Sequence, residues 1–462
     1  MPSLGLAMIV KNGAKTLPDC IASVTGVVDQ IVIADTGSTD GSPETARALG
    51  AEVFDFPWQD DFSQARNAAI RALSTDWVLV IDDDEELEPR AGEKIRPALD
   101  RAGVGGYFVT QRNFIPVSFG SGGYASSVKP NDTAVPRTER ARAYADFATC
   151  RIFRRQPGIH YAGRVHEQVV PQIRACGLEL ASLDLVVHHF GHLSGPAKLK
   201  AKDDFYRKLG QLKLEDAPND PQTWIELGLQ EYEQFKNYSA GIECFKKALA
   251  LDPRHSTVPY LSLANLYLDI QADDRALALL STVSMKGRDA GVKEHICADA
   301  FYNLGRLKQA RSAYMRALKI LPDDSRIASK LGLTEVRLGL KTSGLSRLAR
   351  ALKASPEVYE MHDRLVKAYI LMNLLPQAAE AAERMAVEFP APATILRAAS
   401  IRAQMQQWEQ TVEIIVRGLR QFPQSQELLE ARSELQQETA RTIKSPALAR
   451  PDELQQAGFS GR

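Results

Sequence analysis

The chain holds 462 residues, with 57 Lys and Arg balanced by 57 Asp and Glu. A net charge of zero removes any global electrostatic case for nucleic acid or an acidic membrane. Hydrophobic residues make up 44% and charged residues 25%, which excludes wholesale disorder.

Five cysteines, widely spaced and without a CxxC, exclude a disulfide framework or a zinc cluster and favour a reducing compartment. The opening residues MPSLGL carry no basic run ahead of an apolar one, so no signal peptide is expected. No apolar run approaches the roughly 18 residues of a membrane span, so no transmembrane segment is expected either.

Residues 4 to about 190 alternate short apolar runs, at 6–10, 30–34, 51–54 and 77–81, with helix-length segments. Ser42 before Pro43 reads as an N-cap with proline at the first helical position, and Gly50 ends that helix. This alternation predicts an α/β domain over 1–200, its sheet mostly parallel and covered by helices on both faces. Residues 113–147, rich in Gly, Ser, Pro and charge, read as a long mobile loop, and 201–220 as a linker.

From 221 to about 425 the strand signals stop and a period begins. Prolines close apolar helices at 253, 322, 356, 390 and 423, at gaps of 69, 34, 34 and 33 residues, the first gap holding two repeats. Counting within each repeat, the eighth position holds Gly228, Ala264, Ala298, Gly332, Val366 and Ala399. The twentieth holds Ala240, Ala276, Ala310, Gly344, Ala378 and Thr411. Small residues recur there because two helices cross. The region resembles six tetratricopeptide repeats, an all-α solenoid, and its first repeat needs one extra residue before Pro253. A polar capping helix is expected at 426–443 and a disordered tail at 444–462. The first helices of repeats three to five should line a concave face with His295, Asp299, Tyr302, Arg326, Ser329, Glu360, Asp363 and Lys367.

The chemistry-bearing residues of the first part stand past the carboxyl ends of the expected strands, where open α/β sheets bind ligands. Lys11 and Asn12 follow the first strand, residues 35–40 (DTGSTD) the second and 82–86 (DDDEE) the fourth, while Arg66 and Asn67 open the helix before it. Asp82 and Asp84, two apart after an apolar strand, offer hard oxygen ligands suited to Mg2+ or Mn2+. A solvated acidic turn explains such a run when it stands alone; the strand before it and the companion motifs reverse the odds. Asp35 can accept from a ribose hydroxyl or a base N–H, though a turn ahead of a helix explains it as well.

Four of the eight histidines lie between 166 and 192. Glu167 is a candidate general base, and one histidine of 188–192 a candidate metal ligand. For any one histidine, a satisfied core residue is the commoner case.

Taken together, residues 7–12 (AMIVKN), 28–40 (VDQIVIADTGSTD), 61–67 (DFSQARN), 77–85 (WVLVIDDDE), 163–167 (GRVHE) and 189–191 (HFG) resemble the family-2 glycosyltransferases. The resemblance is to the bacterial branch that includes lipopolysaccharide-core glucosyltransferases and peptide S-glycosyltransferases. It implies an A-type nucleotide-sugar-binding fold, a nucleotide-sugar donor such as a UDP-sugar, a divalent metal (Mn2+ or Mg2+) and inversion at the anomeric carbon. By that likeness Asn12, Asp35, Arg66 and Asp82 bind the donor, Asp82 and Asp84 form the metal-binding DxD pair with His189 as a further ligand, and Glu167 is the catalytic base. Three positions depart from the branch: Gly13 where an acid is usual, Asp83 in place of a small middle residue, and His192 where tyrosine is common.

The implied acceptor is a lipopolysaccharide-core or related glycan, with a polypeptide as the alternative, and the repeats would hold that acceptor or a protein partner. The implied setting is cell-envelope biogenesis, in the cytoplasm or peripheral at the inner membrane. The reading from another class is a repeat scaffold with an inactive transferase domain, against which intact Asp35, Asp82, Asp84 and Glu167 argue.

Overall fold

A computed structural model describes residues 1–116, 128–131, 133, 135, 137–138, 141–193 and 196–442. The chain forms two compact units, Met1–Ile270 and Gln271–Arg462.

The first unit is built on one sheet. Its strands are β1 (Leu4–Val10), β2 (Gln30–Asp35), β3 (Glu52–Asp55), β4 (Trp77–Leu79), β5 (Glu85–Leu87), β6 (Val104–Pro116), β7 (Val128–Pro130), β8 (Ala141–Arg154) and β9 (Glu179–His189). They lie in the order β3-β2-β1-β4-β8-β6-β9-β5, with β7 beside β8. The expected parallel arrangement holds from β3 to β4. Beyond β4 the sheet is mixed: β8 runs antiparallel to β4 and β6, and β9 parallel to β6 but antiparallel to β5.

The region expected as a loop at 113–147 is strand at both ends, because β6 extends to Pro116 and β8 begins at Ala141, and β7, between them in sequence, pairs with β8. Its Gly, Ser and charge content hid strands that pair through backbone hydrogen bonds and need no apolar run. Residues 117–127, 132, 134, 136, 139 and 140 of that expected loop lie outside the described residues.

Helices α1 (Leu17–Val24), α2 (Ser42–Ala48), α3 (Phe62–Ala72), α4 (Ala91–Leu99) and α5 (Val170–Ala175) cover the sheet. Alternation along β1 sorts its side chains to two cores. Leu4, Leu6, Met8 and Val10 pack with Leu17, Cys20, Ile21 and Val24 of α1 and with Ile95 and Leu99 of α4. Ala7 and Ile9 pack on the other face with Ala65, Ala69 and Ile70 of α3. The alanines let α3 lie close to the sheet, which brings the side chain of Arg66 to the strand ends. Ser42 is the first helical residue of α2 and not its cap: Asp40 Oδ1 accepts from Ser42 N at 3.1 Å, and Ser42 Oγ accepts from Gly13 N at 2.8 Å.

The stretch expected as a linker is occupied by α6 (Pro196–Asp216), a 21-residue helix. The repeat helices follow as α7 (Pro221–Leu229), α8 (Tyr238–Leu251) and α9 (Val258–Asp269), which complete the first unit. The second unit holds α10 (Asp273–Ser281), α11 (Gly287–Asn303), α12 (Leu307–Ile320), α13 (Ser325–Arg337), α14 (Lys341–Ala354), α15 (Tyr359–Leu371), α16 (Leu375–Glu388), α17 (Pro392–Gln404), α18 (Trp408–Gln421) and α19 (Gln426–Thr442).

Crossings are as tight as the small residues require. A Cβ on Gly344 would stand 2.7 Å from Gly332 O, while Ala298 and Ala310 are fully buried. In the first repeat the crossing residue is Gly241, where a Cβ would stand 3.5 Å from Gly228 O, and not Ala240. A π-helical turn at Gln230–Gln234 takes up the extra residue and moves the register by one. The expected tail at 444–462 lies outside the described residues. Of the expected concave-face residues, Ser329 is fully buried, whereas His295 and Asp299 sit in a half-buried cluster with Lys330.

Candidate active site

Parallel pairing of β1 with β2 sets Val10 opposite Asp35 and places the two following loops side by side. Asn12, in the left-handed region at φ 58°, accepts at Oδ1 from Thr39 N (2.8 Å), and its N–H donates to Ser38 Oγ (2.9 Å). Asp35 Oδ2 accepts from Gly37 N and Ser38 N at 3.1 and 2.9 Å. Its Oδ1 is buried with no partner, and the residue is only 4% exposed. A buried acceptor left unpaired is costly, so this oxygen is suited to a ligand's N–H or O–H.

Arg66, from α3, joins the distant acids. Its Nε donates to Glu167 Oε1 at 2.5 Å and its Nη2 to Asp82 Oδ1 at 2.9 Å, while Nη1 is buried without a partner. Burial works against a charged Asp82, but Arg66 and then Arg151 hold its carboxyl well below the usual range. Glu167 lies in a short loop closed by the Ala162–Gln168 bridge, not at a strand end, and the loop turns through left-handed Gly163 and His166.

Behind Asp82 stands Glu85, which is fully buried. It accepts from Arg151 Nη2 at 2.6 Å, from Gln111 Nε2 at 2.8 Å and, through Oε2, from Asp82 N at 2.9 Å. Burial pushes Glu85 up to about 7, with Arg151 opposing. Asp83 turns the other way, accepting from the Thr16 hydroxyl beside Gly13.

Antiparallel pairing of β5 with β9 sets Glu85 opposite His189 and delivers that histidine beside Asp84. His189 Nε2 lies 3.6 Å from Asp84 Oδ1, and Nδ1 faces Asn113 Oδ1 within hydrogen-bond distance. With Nδ1 protonated toward the amide oxygen, Nε2 is the unprotonated nitrogen, on the side of Asp84. A Cβ on Gly191 would stand 2.6 Å from His189 Nε2 and 2.7 Å from Asp84 Oδ2. The two groups thus come together against position 191 as closely as they do because it carries no side chain. Asp82 is instead engaged by Arg66, and among the described residues no three His, Cys, Asp or Glu side chains stand together as a ready metal shell.

The structure therefore gathers Arg66, Asp82 and Glu167 in one group, Asp84 and His189 in a second, and Asn12 and Asp35 around the DTGSTD turn in a third. Sequence reasoning gave no role to Arg151 or Asn113, and it held Glu85 and Gly191 only within the 82–86 and 189–191 motifs. Arg151 carried a signal, as an arginine on an otherwise apolar strand end needs a buried acid. Asn113 carried none.

Residues 6–158 match the family model described as glycosyl transferase family 2, and 221–255 and 297–324 match a tetratricopeptide repeat model. A TPR repeat-containing protein of Synechococcus elongatus is 30% identical over 234 residues, 49% of this chain and 52% of its own. The SPbeta prophage-derived glycosyltransferase SunS of Bacillus subtilis is 23% identical over 257 residues, 54% of this chain and 53% of its own. An uncharacterized glycosyltransferase of Rickettsia felis is 35% identical over 95 residues, 21% of this chain and 33% of its own. The chain thus spans about half the length of the first two and a third of the last. Among solved structures, that of the APC/C hetero-tetramer Cut9–Hcn1 covers 51% of this chain and 46% of its own at 12% identity and a TM-score of 0.41, too slight a likeness to carry argument. Among the described residues no helix is long and apolar enough to cross a membrane. The chain carries a glycosyl transferase family 2 domain at its N-terminus, followed by tetratricopeptide repeats.

Proposed function

We propose that this protein is an inverting glycosyltransferase that moves a sugar from a UDP-sugar or related donor to a saccharide acceptor of lipopolysaccharide-core type, in cell-envelope biogenesis. The observation that carries the reading is one buried guanidinium, Arg66, holding both Asp82 and Glu167. Asp35, with its unpartnered buried Oδ1, and Asn12 receive the nucleoside. Arg66 Nη1, also unpartnered, is available to a diphosphate oxygen.

Asp84 and His189 suit a divalent ion, since a carboxylate and an imidazole come together beside Gly191. Asp82 completes the DxD pair on the same loop. A bound Mn2+ or Mg2+ supplies charge neutralisation for the departing nucleoside diphosphate. Glu167 takes the acceptor hydroxyl proton as that oxygen attacks the anomeric carbon. The bond to phosphate breaks with its electron pair on the leaving oxygen, and a single in-line displacement inverts the anomeric centre.

The test is hydrolysis of a panel of nucleotide sugars by the full chain with Mn2+, with the product anomer read by NMR. Turnover with inversion is expected. Retention would overturn the mechanism, and silence toward the whole panel would favour the inactive-scaffold reading. Transfer to a polypeptide in place of a core oligosaccharide would reassign the acceptor. We propose that the repeats present that acceptor or a protein partner, taking no part in bond making.

A further inference from the structure

The helix that follows the catalytic domain touches the loop of the candidate base on one side and the first repeat on the other. Its Tyr206 ring stacks on Phe62 at 5.5 Å between centroids and lies 6.3 Å from the His166 ring. Phe62 is one turn ahead of Arg66 on α3, and His166 precedes Glu167. Asp216, at the end of α6, takes the Arg164 guanidinium, and Lys208 pairs with Asp60 at 2.7 Å. Arg164 and Asp60 lie side by side, since Arg164 Nη1 reaches Asp60 O at 3.5 Å and Phe62 N donates to Arg164 O at 2.9 Å.

The opposite side of α6 is held by the first repeat. Arg207 makes a two-pronged pair with Glu231, at 2.7 and 2.9 Å, and lies over the Phe235 ring at 4.6 Å. Glu231 is only 4% exposed and also accepts from Asn237 Nδ2 at 2.8 Å. It stands in the π-helical turn, so the extra residue of the first repeat presents the acid that fixes α6. Lys213 spans both sides. Its ammonium is 2.6 Å from Glu226 Oε2 of α7 and 3.4 Å from Val165 O, two residues before Glu167.

We propose that Lys213 is a positioning residue for Glu167: with Glu226 it ties the loop that carries the candidate base to the first tetratricopeptide repeat. This rests on the reading of Glu167 as the base. The loop closes on itself through the Ala162–Gln168 bridge and Gln168 Nε2 on His166 O, and it is met from outside at Arg164, Val165 and Glu167, where Lys213 supplies the contact at Val165 O. A half-buried ammonium that meets a carboxylate on one side and a loop carbonyl on the other fixes that carbonyl more firmly than water would. The first repeat is then part of the catalytic unit, and a boundary drawn near residue 200 divides that unit.

The test uses the full chain and three variants, Lys213→Met, Glu226→Gln and Lys213→Arg. Hydrogen exchange of the 163–168 amides, measured without any ligand, should quicken in the first two and stay near wild type in the third. With the nucleotide sugar found active in the panel, kcat should fall roughly ten- to a hundredfold, as for a catalytic group misplaced by about 1 Å. Donor KM should be unchanged. In a Glu167→Gln background, Lys213→Met should cost little more, because both changes act through one group. Unchanged exchange in Lys213→Met overturns the proposal whatever the kinetics. Faster exchange with additive rate losses overturns the route through Glu167. Near-normal turnover of Glu167→Gln alone removes the base assignment, while the exchange result still decides whether Lys213 orders the loop.

Discussion

Replacing Gly191 with alanine tests the proposed metal position with a single methyl group. The backbone of Gly191 is not left-handed, so alanine meets no φ penalty. The new Cβ would stand 2.6 Å from His189 Nε2 and 2.7 Å from Asp84 Oδ2. Comfortable non-bonded separation begins near ~3.5 Å, so each group must retreat by about 0.8 Å or the turn must open. Neither retreat is easy, because Asn113 fixes the histidine ring and Asp84 O accepts from Phe190 N at 3.0 Å. Disturbing the orientation of metal-binding groups typically costs ~10- to 100-fold in affinity. We therefore expect Mn2+ binding, followed by electron paramagnetic resonance of the unbound ion, to weaken by about that factor. Nucleotide-sugar turnover at limiting Mn2+ should fall in step, with a melting curve close to wild type. Gly92→Ala, whose Cβ would meet only Val27 at 3.6 Å, is the matched control and should change nothing. A folded Gly191→Ala protein with unaltered Mn2+ affinity and turnover would refute the placement of the ion between Asp84 and His189.

Asp82→Asn and Asp84→Asn should each lower turnover by roughly a hundred- to a thousandfold, the usual loss for one electrostatic contact to a developing charge; full activity in excess chelator would contradict this. Glu167→Gln should keep donor binding in an equilibrium assay and lose transfer, since it preserves shape and removes basicity. Gly344→Ala should lower the melting temperature of the repeats. The ~1 kcal/mol that alanine gains over glycine in a helix is outweighed by roughly 1–3 kcal/mol of overpacking against Gly332 O, and a rise in melting temperature would reverse that ordering.

The fifth expectation concerns pH. Burial pushes His295 down to about 4, with Lys330 adding to it and Asp299 opposing. The unfolded chain therefore binds the extra proton first as pH falls. The His295 contribution to stability should be steady above about pH 6.5 and decline from there toward pH 4, by at most roughly 3 kcal/mol. It is read as the difference between the melting curves of wild type and His295→Gln across that window, because Glu85 titrates with the opposite sign at nearby pH.

Much of this was legible in the sequence, and for physical reasons. Parallel strands buried on both faces show as short apolar runs, and the candidate site residues follow them directly, so the positions of Asn12, Asp35 and Asp82 past the strand ends could be read from the runs alone. The 34-residue period revealed the solenoid because helix crossings tolerate so few side chains. The pairing of β6 with β8 was not legible, since its strands depend on partners more than a dozen residues away and carry Arg112, Asn113, Asp146 and Thr149 among their apolar residues. The role of Asn113 appears only when β6 lies beside β9. Gly191 closed the 189–191 motif with no role given to it, and only the atoms around it show what a side chain would obstruct. Helix α6 was missed because its charged residues pair in space with Asp60, Arg164, Glu226 and Glu231, which no local pattern displays.

Gly13 and Asp83 share one volume. A Cβ at position 13 would stand 2.6 Å from Asp83 Oδ2 and 2.8 Å from Val10 Cγ2. The backbone before α1 and the middle of the 82–84 loop therefore compete for a single side chain, which can be supplied from either strand end. The two departures from the branch pattern, a glycine for an acid at 13 and an acid for a small residue at 83, become one exchange of where the carboxylate is rooted. Homologues aligned across these columns should covary, large against small, and chains with both sites large should be rare. Gly13→Glu should harm this protein alone and be rescued by Asp83→Ala in the same chain.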